Sequence, residues 1–111
     1  MAVAGGGPAG ATAAILLSRA GLRVALATLT DGRARIEGMA PRVAAILAAL
    51  DLPAEGLGPP APRRAVWGGA VSGETVERPV DRRAFDAGLL EAARAAGVRV
   101  VETRVERLDA A

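Results

Sequence analysis

Apolar positions and glycines in the first thirty residues follow an order that predicts a strand, a helix and a second strand. A short apolar run at Ala2–Ala4 precedes a cluster of glycines, and residues 10–20 are then apolar on nearly every side. Gly21 stands where a helix needs a left-handed cap, so the helix is expected to end there. Residues 22–29 predict a buried parallel strand. A helix with almost no polar face is expected to lie between a sheet and another layer.

Two further helices are predicted downstream. Pro41 begins the first, at a position where its missing N–H does no harm. The apolar stripe of this helix, expected to face the core, consists of Val43, Ile46, Leu47 and Leu50. Asp81 is a good N-cap for the second helix, which Gly97 ends. The apolar face of the second helix consists of Phe85, Leu89, Ala92, Ala93 and Ala96.

The segments between these helices predict loops and a hairpin. Residues 33–38 are polar and loop-like, and residues 53–62 hold four prolines, which predicts a second loop. Residues 63–71 and 73–80 predict two strands joined at Ser72-Gly73.

Further expectations concern two single residues and two more strands. Pro79 lacks a backbone donor, which favours an edge strand, and Trp67 is expected to be a packing residue. Residues 98–101 predict a strand, and residues 103–108 predict another. The whole pattern predicts an α/β fold, a Rossmann-like βαβ unit with an inserted β-hairpin and a further helix, as an incomplete domain.

The turn after the first strand carries the chemistry. Its sequence is Gly5-Gly6-Gly7-Pro8-Ala9-Gly10, a G-x-G-x-x-G pattern. Glycine is needed at Gly5 for a tight turn, at Gly7 for backbone contact with a pyrophosphate, and at Gly10 for close packing of helix on strand. The helix N-terminus then supplies unpaired N–H groups and a positive dipole end. The predicted cofactor-binding residues of the turn are Gly5, Gly7, Pro8, Ala9 and Gly10.

The end of the second strand departs from the dinucleotide-binding pattern. A carboxylate is expected there for the adenosine ribose hydroxyls, and Thr28 takes its place. Thr28 is a candidate for one neutral hydrogen bond to the ribose, or is an ordinary β-branched strand residue. The nearest acid along the chain is Asp31, beside Gly32.

Composition excludes several kinds of chemistry. The chain has 111 residues, of which 51% are hydrophobic, and contains no cysteine and no histidine. It therefore lacks a disulfide framework, a thiol or imidazole metal site, a catalytic triad and a histidine base, so a bound cofactor has to carry any reaction. No catalytic residue and no metal site are predicted.

Charge and hydropathy narrow the class of partner. All 14 basic residues are arginines, interleaved with 12 acids to a net charge of +2, and this spread argues against a nucleic-acid surface. No apolar run is long enough for a membrane span, and the N-terminus lacks a basic region typical of a signal peptide. We expect a cytoplasmic protein, whose oligomeric state the sequence leaves open.

The chain resembles a known family over essentially its whole length. Besides the glycine turn, the resemblance rests on Ile36-Glu37-Gly38-Met39-Ala40-Pro41 and on Val80-Asp81-Arg82-Arg83-Ala84-Phe85-Asp86. These stretches are similar to the aromatic hydroxylase, geranylgeranyl reductase and tryptophan halogenase group of FAD enzymes. The Glu37–Pro41 stretch also leaves open a resemblance to flavoproteins that modify tryptophan during quinone-cofactor maturation.

The resemblance implies a role, a cofactor and two further binding residues. Residues 1–111 would be the N-terminal part of an FAD-binding domain, without the C-terminal FAD motif and substrate domain. The enzyme would be an FAD-dependent monooxygenase that uses NAD(P)H as reductant and acts on a small organic or aromatic substrate. In the family the residue matching Arg82 lies near the cofactor, and Arg42 follows the segment near the flavin. The absence of lysine removes the catalytic lysine of the halogenases from this span, which favours a hydroxylase or a reductase.

Two alternatives remain open at the level of the sequence. An NAD(P)-binding dehydrogenase would keep the glycine turn, although repeated βα units would then be expected where the hairpin stands. A non-catalytic, truncated flavoprotein-like module would account for Thr28 and for the missing second FAD motif.

Overall fold

The computed structural model describes residues 1–30 and 33–109, so Asp31 and Gly32 lie outside the described residues. The elements in chain order are β1 (Ala2–Ala4), α1 (Pro8–Arg19), β2 (Ala25–Thr28), β3 (Ile36–Met39), α2 (Pro41–Ala49), β4 (Ala61–Arg63), β5 (Val66–Trp67), β6 (Ala70–Val71), β7 (Thr75–Asp81), α3 (Arg82–Ala95) and β8 (Arg99–Glu102). The chain divides into two compact units. The first unit comprises Met1–Arg33 and Asp86–Ala111, and the second comprises Ala34–Phe85.

The first unit is built on a parallel sheet in the order β1-β2-β8. Strand β2 pairs with β1 through Ala25–Ala27 and with β8 through all four of its residues. The buried apolar side chains of this unit are Ala11, Ala14, Ile15, Val24, Leu26, Leu89, Leu90, Ala93 and Val98. The parallel strand-helix-strand unit that the glycine spacing predicts is therefore confirmed.

Three details of the first unit differ from the sequence prediction. Helix α1 begins at Pro8, two positions early, because proline suits the first helical position. The helix is buried on one face only, at Ala11, Ala14 and Ile15. Leu16 is 37% exposed, although a helix buried on both sides was predicted. Residues 103–109 form no strand within the described chain, and pairing ends with the Thr103 N–H donated to the carbonyl of Thr28 (3.0 Å).

The second unit holds an antiparallel sheet in the order β3-β7-β4. Residues 36–38, predicted as a loop, are part of strand β3, so that prediction is wrong. The segment lacks the alternating apolar pattern of a strand, and pairing with β7 imposes its extended form. Ile36 pairs with Asp81, and Met39 pairs with Arg78.

Pro79 does not mark an edge strand, because β7 is the central strand of this sheet. Its carbonyl accepts a hydrogen bond from the N–H of Gly58 (2.7 Å), so the backbone nitrogen of Pro79 faces the Gly58 segment as well. The missing donor is thus turned away from β3, where Pro79 lies opposite Gly38. A proline is tolerated in the middle of the sheet because its nitrogen faces Gly58, which is not in a strand.

The hairpin closes at a different turn from the predicted one. The tight turn lies at Gly68-Gly69, both with positive φ (56° and 81°), between β5 and β6. Ser72, predicted in the turn, instead ties the base of the hairpin by donating its backbone N–H to the carbonyl of Ala65 (2.8 Å). The prediction that Trp67 packs is wrong, since it is 81% exposed.

Both later helices begin where predicted, and the predicted apolar face is buried in α3 at Phe85, Leu89 and Ala93 but only in part in α2. Helix α2 begins at Pro41, but within its predicted stripe only Leu47 is buried, and Val43 and Ile46 are 43% and 48% exposed. The Asp81 carboxylate accepts hydrogen bonds from the N–H groups of Arg83 (3.0 Å) and Ala84 (3.4 Å), which confirms its predicted cap.

Candidate nucleotide-binding site

The turn between β1 and α1 leaves the sheet in a conformation that only glycine adopts readily. Gly5 has a φ of +99°, in the left-handed region that strains other residues. Its N–H donates to the carbonyl of Ala27 (2.8 Å), which fixes the start of the turn at the carboxyl end of β2. The turn therefore lies where parallel α/β sheets bind their ligands.

Gly7 and Gly10 differ in the space around them, as the predicted roles require. A Cβ on Gly10 would overlap the carbonyl oxygen of Gly5, so α1 approaches the turn as closely as a glycine allows. A Cβ on Gly7 would meet nothing within 4 Å. The open side of Gly7 leaves room for a ligand against the backbone, whereas Gly10 has no room at all.

The N-terminus of α1 leaves its first N–H groups available to an anion. Gly7 is the N-cap, with no side-chain hydrogen bond, and Pro8 is the first helical residue. The first helical bond runs from the N–H of Ala11 to the carbonyl of Gly7 (2.9 Å), so the N–H groups of Ala9 and Gly10 have no partner within the helix. The first turn contains no acidic residue, and the positive end of the helix dipole is unopposed there. The geometry fits a phosphate or pyrophosphate group.

Thr28 lies beside the turn. It is the last residue of β2, and it is 5% exposed. A Cβ on Gly6 would overlap the Thr28 hydroxyl oxygen, so that hydroxyl is directed at the turn backbone. The structure thus brings Thr28 together with the five predicted turn residues at one edge of the first sheet.

The two predicted arginines belong to the second unit. The Arg82 guanidinium lies 2.8 Å from the Glu37 carboxylate, and its side chain is 19% exposed. Its backbone N–H donates to the carbonyl of Arg35 (2.9 Å), whose own guanidinium lies 3.9 Å from Glu37. Arg82 therefore holds the start of α3 to β3, and Glu37 offsets its charge.

Arg42 has a simpler environment. It occupies the second position of α2 and is exposed, and no ion pair joins it to another residue of the described chain. Cofactor binding by Arg42 and Arg82 stays a prediction.

Sequence reasoning missed two carboxylates. Glu37 was noted for its motif and not as the partner of Arg82, because residues 45 positions apart give no local signal. Glu102, the last residue of β8, is in register with Thr28 on the neighbouring parallel strand. A strand predicted at 98–101 and followed directly by glutamate was the available signal.

The described residues contain neither a cluster suited to a metal ion nor a helix suited to span a membrane. Across positions 1–30 and 33–109, no three acidic, histidine or cysteine side chains are grouped so that they could hold a metal ion. No helix in the same ranges has the length and apolar character needed to cross a membrane.

Comparison with solved structures places this geometry among flavin-dependent enzymes. The peptidyl tryptophan dihydroxylase QhpG, essential for tryptophylquinone cofactor biogenesis, matches 99% of the chain at 35% identity and a TM-score of 0.80. The tetrameric 2-methyl-3-hydroxypyridine-5-carboxylic acid oxygenase matches 91% at 29% identity and a TM-score of 0.64. A flavin-dependent halogenase from Xanthomonas campestris shares the fold at 14% identity and a TM-score of 0.66.

These matches define the class of fold. The chain has the architecture of the N-terminal portion of FAD-binding domains, as the sequence resemblance predicted. It spans 26% of the length of the dihydroxylase, 30% of the oxygenase and 36% of the halogenase. No protein-family model and no curated protein sequence matches the chain.

Proposed function

We propose that this chain is the nucleotide-binding part of an FAD-dependent oxidoreductase, a monooxygenase acting on an organic substrate. The observation that carries the proposal is the contrast in the glycine turn, which is closed at Gly10 and open at Gly7. That contrast is what a pyrophosphate cradle at a helix N-terminus requires. Identity of 29% with an oxygenase over 91% of the chain supports FAD over other dinucleotides.

Each turn residue has a physical role in holding the ADP part of the cofactor. The N–H groups of Ala9 and Gly10 would donate hydrogen bonds to the pyrophosphate, and the open side of Gly7 would let it approach the backbone. Pro8 presets the first helical turn, since its φ is fixed and it needs no acceptor. Gly5 supplies the left-handed bend that directs these groups away from the sheet.

The bound FAD would supply the redox chemistry, with NAD(P)H as reductant and oxygen transferred to the substrate. The described residues would bind and orient the FAD, and the chain contains no cysteine or histidine that could move a proton. Thr28 supports the turn because its side chain packs against Gly6. The family resemblance implies that Arg42 and Arg82 also take part in cofactor binding, and in the structure the Arg82 charge is paired with Glu37.

The test is a titration of the chain with FAD, followed by the change in flavin fluorescence. We expect saturable binding that ADP displaces and FMN does not, because the turn holds the part of FAD that FMN lacks. NAD and NADP form separate arms of the titration. A chain that binds NAD or NADP but not FAD would favour the dehydrogenase, and one that binds no adenine dinucleotide would favour the non-catalytic module.

A second and narrower candidate concerns the substrate. The highest of the three similarities is to a peptidyl tryptophan dihydroxylase, at 35% identity and a TM-score of 0.80. This favours a tryptophan side chain within a polypeptide over a free aromatic acid. Full-length enzyme carrying this chain would be incubated with NADH, oxygen and either a tryptophan-containing peptide or a free hydroxypyridine carboxylate. Mass spectrometry should find added oxygen on the peptide, and oxygen found only on the free acid would reject this substrate.

A further inference from the structure

The carboxyl edge of the first sheet places an unassigned carboxylate beside Thr28. Thr28 and Glu102 are the last residues of β2 and β8, and they are register partners in a parallel pair. The Thr103 N–H donates to the Thr28 carbonyl (3.0 Å), which holds the backbone of Glu102 alongside β2. Adjacent strands lie about 4.8 Å apart, and register partners project from the same face of a sheet.

Thr28 is poorly placed to bind a ribose itself. Only 5% of its surface is exposed, and its hydroxyl is directed at the backbone of Gly6. A hydroxyl also has only one neutral oxygen, whereas a carboxylate has two charged oxygens that can accept hydrogen bonds from both ribose hydroxyls. Thr28 holds the position of the ribose-binding acid, but its side chain contacts the turn instead of facing the ribose.

Glu102 has the properties that Thr28 lacks. Its side chain is exposed, and neither a hydrogen bond nor an ion pair joins its carboxylate to another residue of the described chain. Because β2 and β8 are parallel, Glu102 reaches the same edge as the glycine turn. A carboxylate can accept hydrogen bonds from two adjacent hydroxyls at once.

We infer that Glu102 takes the place of the missing acid and accepts hydrogen bonds from the adenosine ribose hydroxyls of the nucleotide. The inference rests on the proposed function, since it needs a nucleotide at the glycine turn. It adds a specificity, because a carboxylate at the ribose repels a 2′-phosphate. The site selects nucleotides with a free 2′-hydroxyl, such as FAD or NAD, against those phosphorylated there, such as NADP.

Calorimetric titration of the full chain with ADP and with 2′-phosphoadenosine 5′-diphosphate tests this selection. Wild type should bind ADP more tightly. Glu102→Gln should bind ADP about tenfold more weakly, as expected for the loss of a charge-assisted hydrogen bond. The same variant should bind the 2′-phosphorylated nucleotide more tightly than wild type does, because the repulsion is gone.

One control variant and one further binding-site variant separate the explanations. Glu74→Gln makes the same change of charge at an exposed glutamate of the second unit and should leave both affinities within about twofold of wild type. Thr28→Val removes the hydroxyl that lies beside Gly6, and it measures separately what that hydroxyl contributes to ADP binding. Circular dichroism of each variant shows whether the fold is retained.

The outcomes distinguish this inference from the proposed function. Wild type that binds neither nucleotide overturns both. Wild type that binds ADP, with Glu102→Gln binding both nucleotides as wild type does, overturns the role of Glu102 alone. A loss of ADP affinity in Thr28→Val and none in Glu102→Gln would assign the ribose to Thr28 instead.

Discussion

Gly7 and Gly10 of the glycine turn predict different results for the same substitution to alanine. At Gly10, alanine would gain about 1 kcal/mol of helix propensity over glycine. Its methyl group, however, would overlap the Gly5 carbonyl, a backbone atom that cannot move without opening the turn. Forcing an extra methyl into a packed site costs about 1–3 kcal/mol, and contact with backbone favours the upper value. We expect Gly10→Ala to lower the free energy of unfolding by about 2 kcal/mol.

At Gly7 the balance is different. Its φ of −70° suits alanine, which stabilises by about 0.4–1 kcal/mol through the unfolded chain. Alanine is a poorer N-cap than glycine by about the same amount, so the stability should stay within about 0.5 kcal/mol of wild type. The new methyl would stand in the space left for the pyrophosphate, and ADP affinity should fall about tenfold or more.

Urea unfolding followed by circular dichroism, together with ADP titration, measures both effects on each variant. The reasoning would be refuted by a Gly10→Ala variant as stable as wild type. It would equally be refuted by a Gly7→Ala variant that keeps full ADP affinity, because the open side of Gly7 would then not be where the ligand lies.

Three further predictions concern stability. Asp81→Ala should destabilise the chain by about 1 kcal/mol by removing the cap of α3, and Asp81→Asn should retain most of that stability in the same urea experiment. Leu26→Ala should cost about 2–5 kcal/mol, because Leu26 is fully buried in the central strand, and a loss below 1 kcal/mol would contradict its place in the core. Trp67→Ala should change stability by no more than about 0.5 kcal/mol, and the fluorescence of this single tryptophan should shift little on unfolding, since it is 81% exposed; a large blue-shifted signal in the folded chain would contradict that exposure.

The part of the fold that could be predicted from sequence is the part whose residues are dictated locally. Gly5 needs a left-handed φ, Gly10 has no room for a side chain, and Asp81 caps the helix that follows it. These requirements act over a few residues, so the strand-turn-helix-strand unit and the starts of α2 and α3 could be read from spacing alone.

The remainder depends on partners distant in sequence. Strand β3 is extended because it pairs with β7, and its own sequence gives no strand pattern. Pro79 is accommodated in the central strand because its nitrogen faces the segment at Gly58, about twenty residues earlier, which is not a strand and needs no N–H from Pro79. The pairing of Glu37 with Arg82 and the register of Thr28 with Glu102 likewise arise from strand pairing. None of these could be found from local pattern.

The central claim is that the backbone of the glycine turn binds a pyrophosphate. The most direct test is an NMR titration of the isotope-labelled chain with ADP, following the amide signals of Gly7, Ala9 and Gly10. The account predicts that these three signals move most, in a saturable manner, as the N–H groups of Ala9 and Gly10 gain charged acceptors and the phosphate comes to lie against the backbone of Gly7. Saturable shifts confined to other residues, or no shift of these three at high ADP concentration, would contradict it.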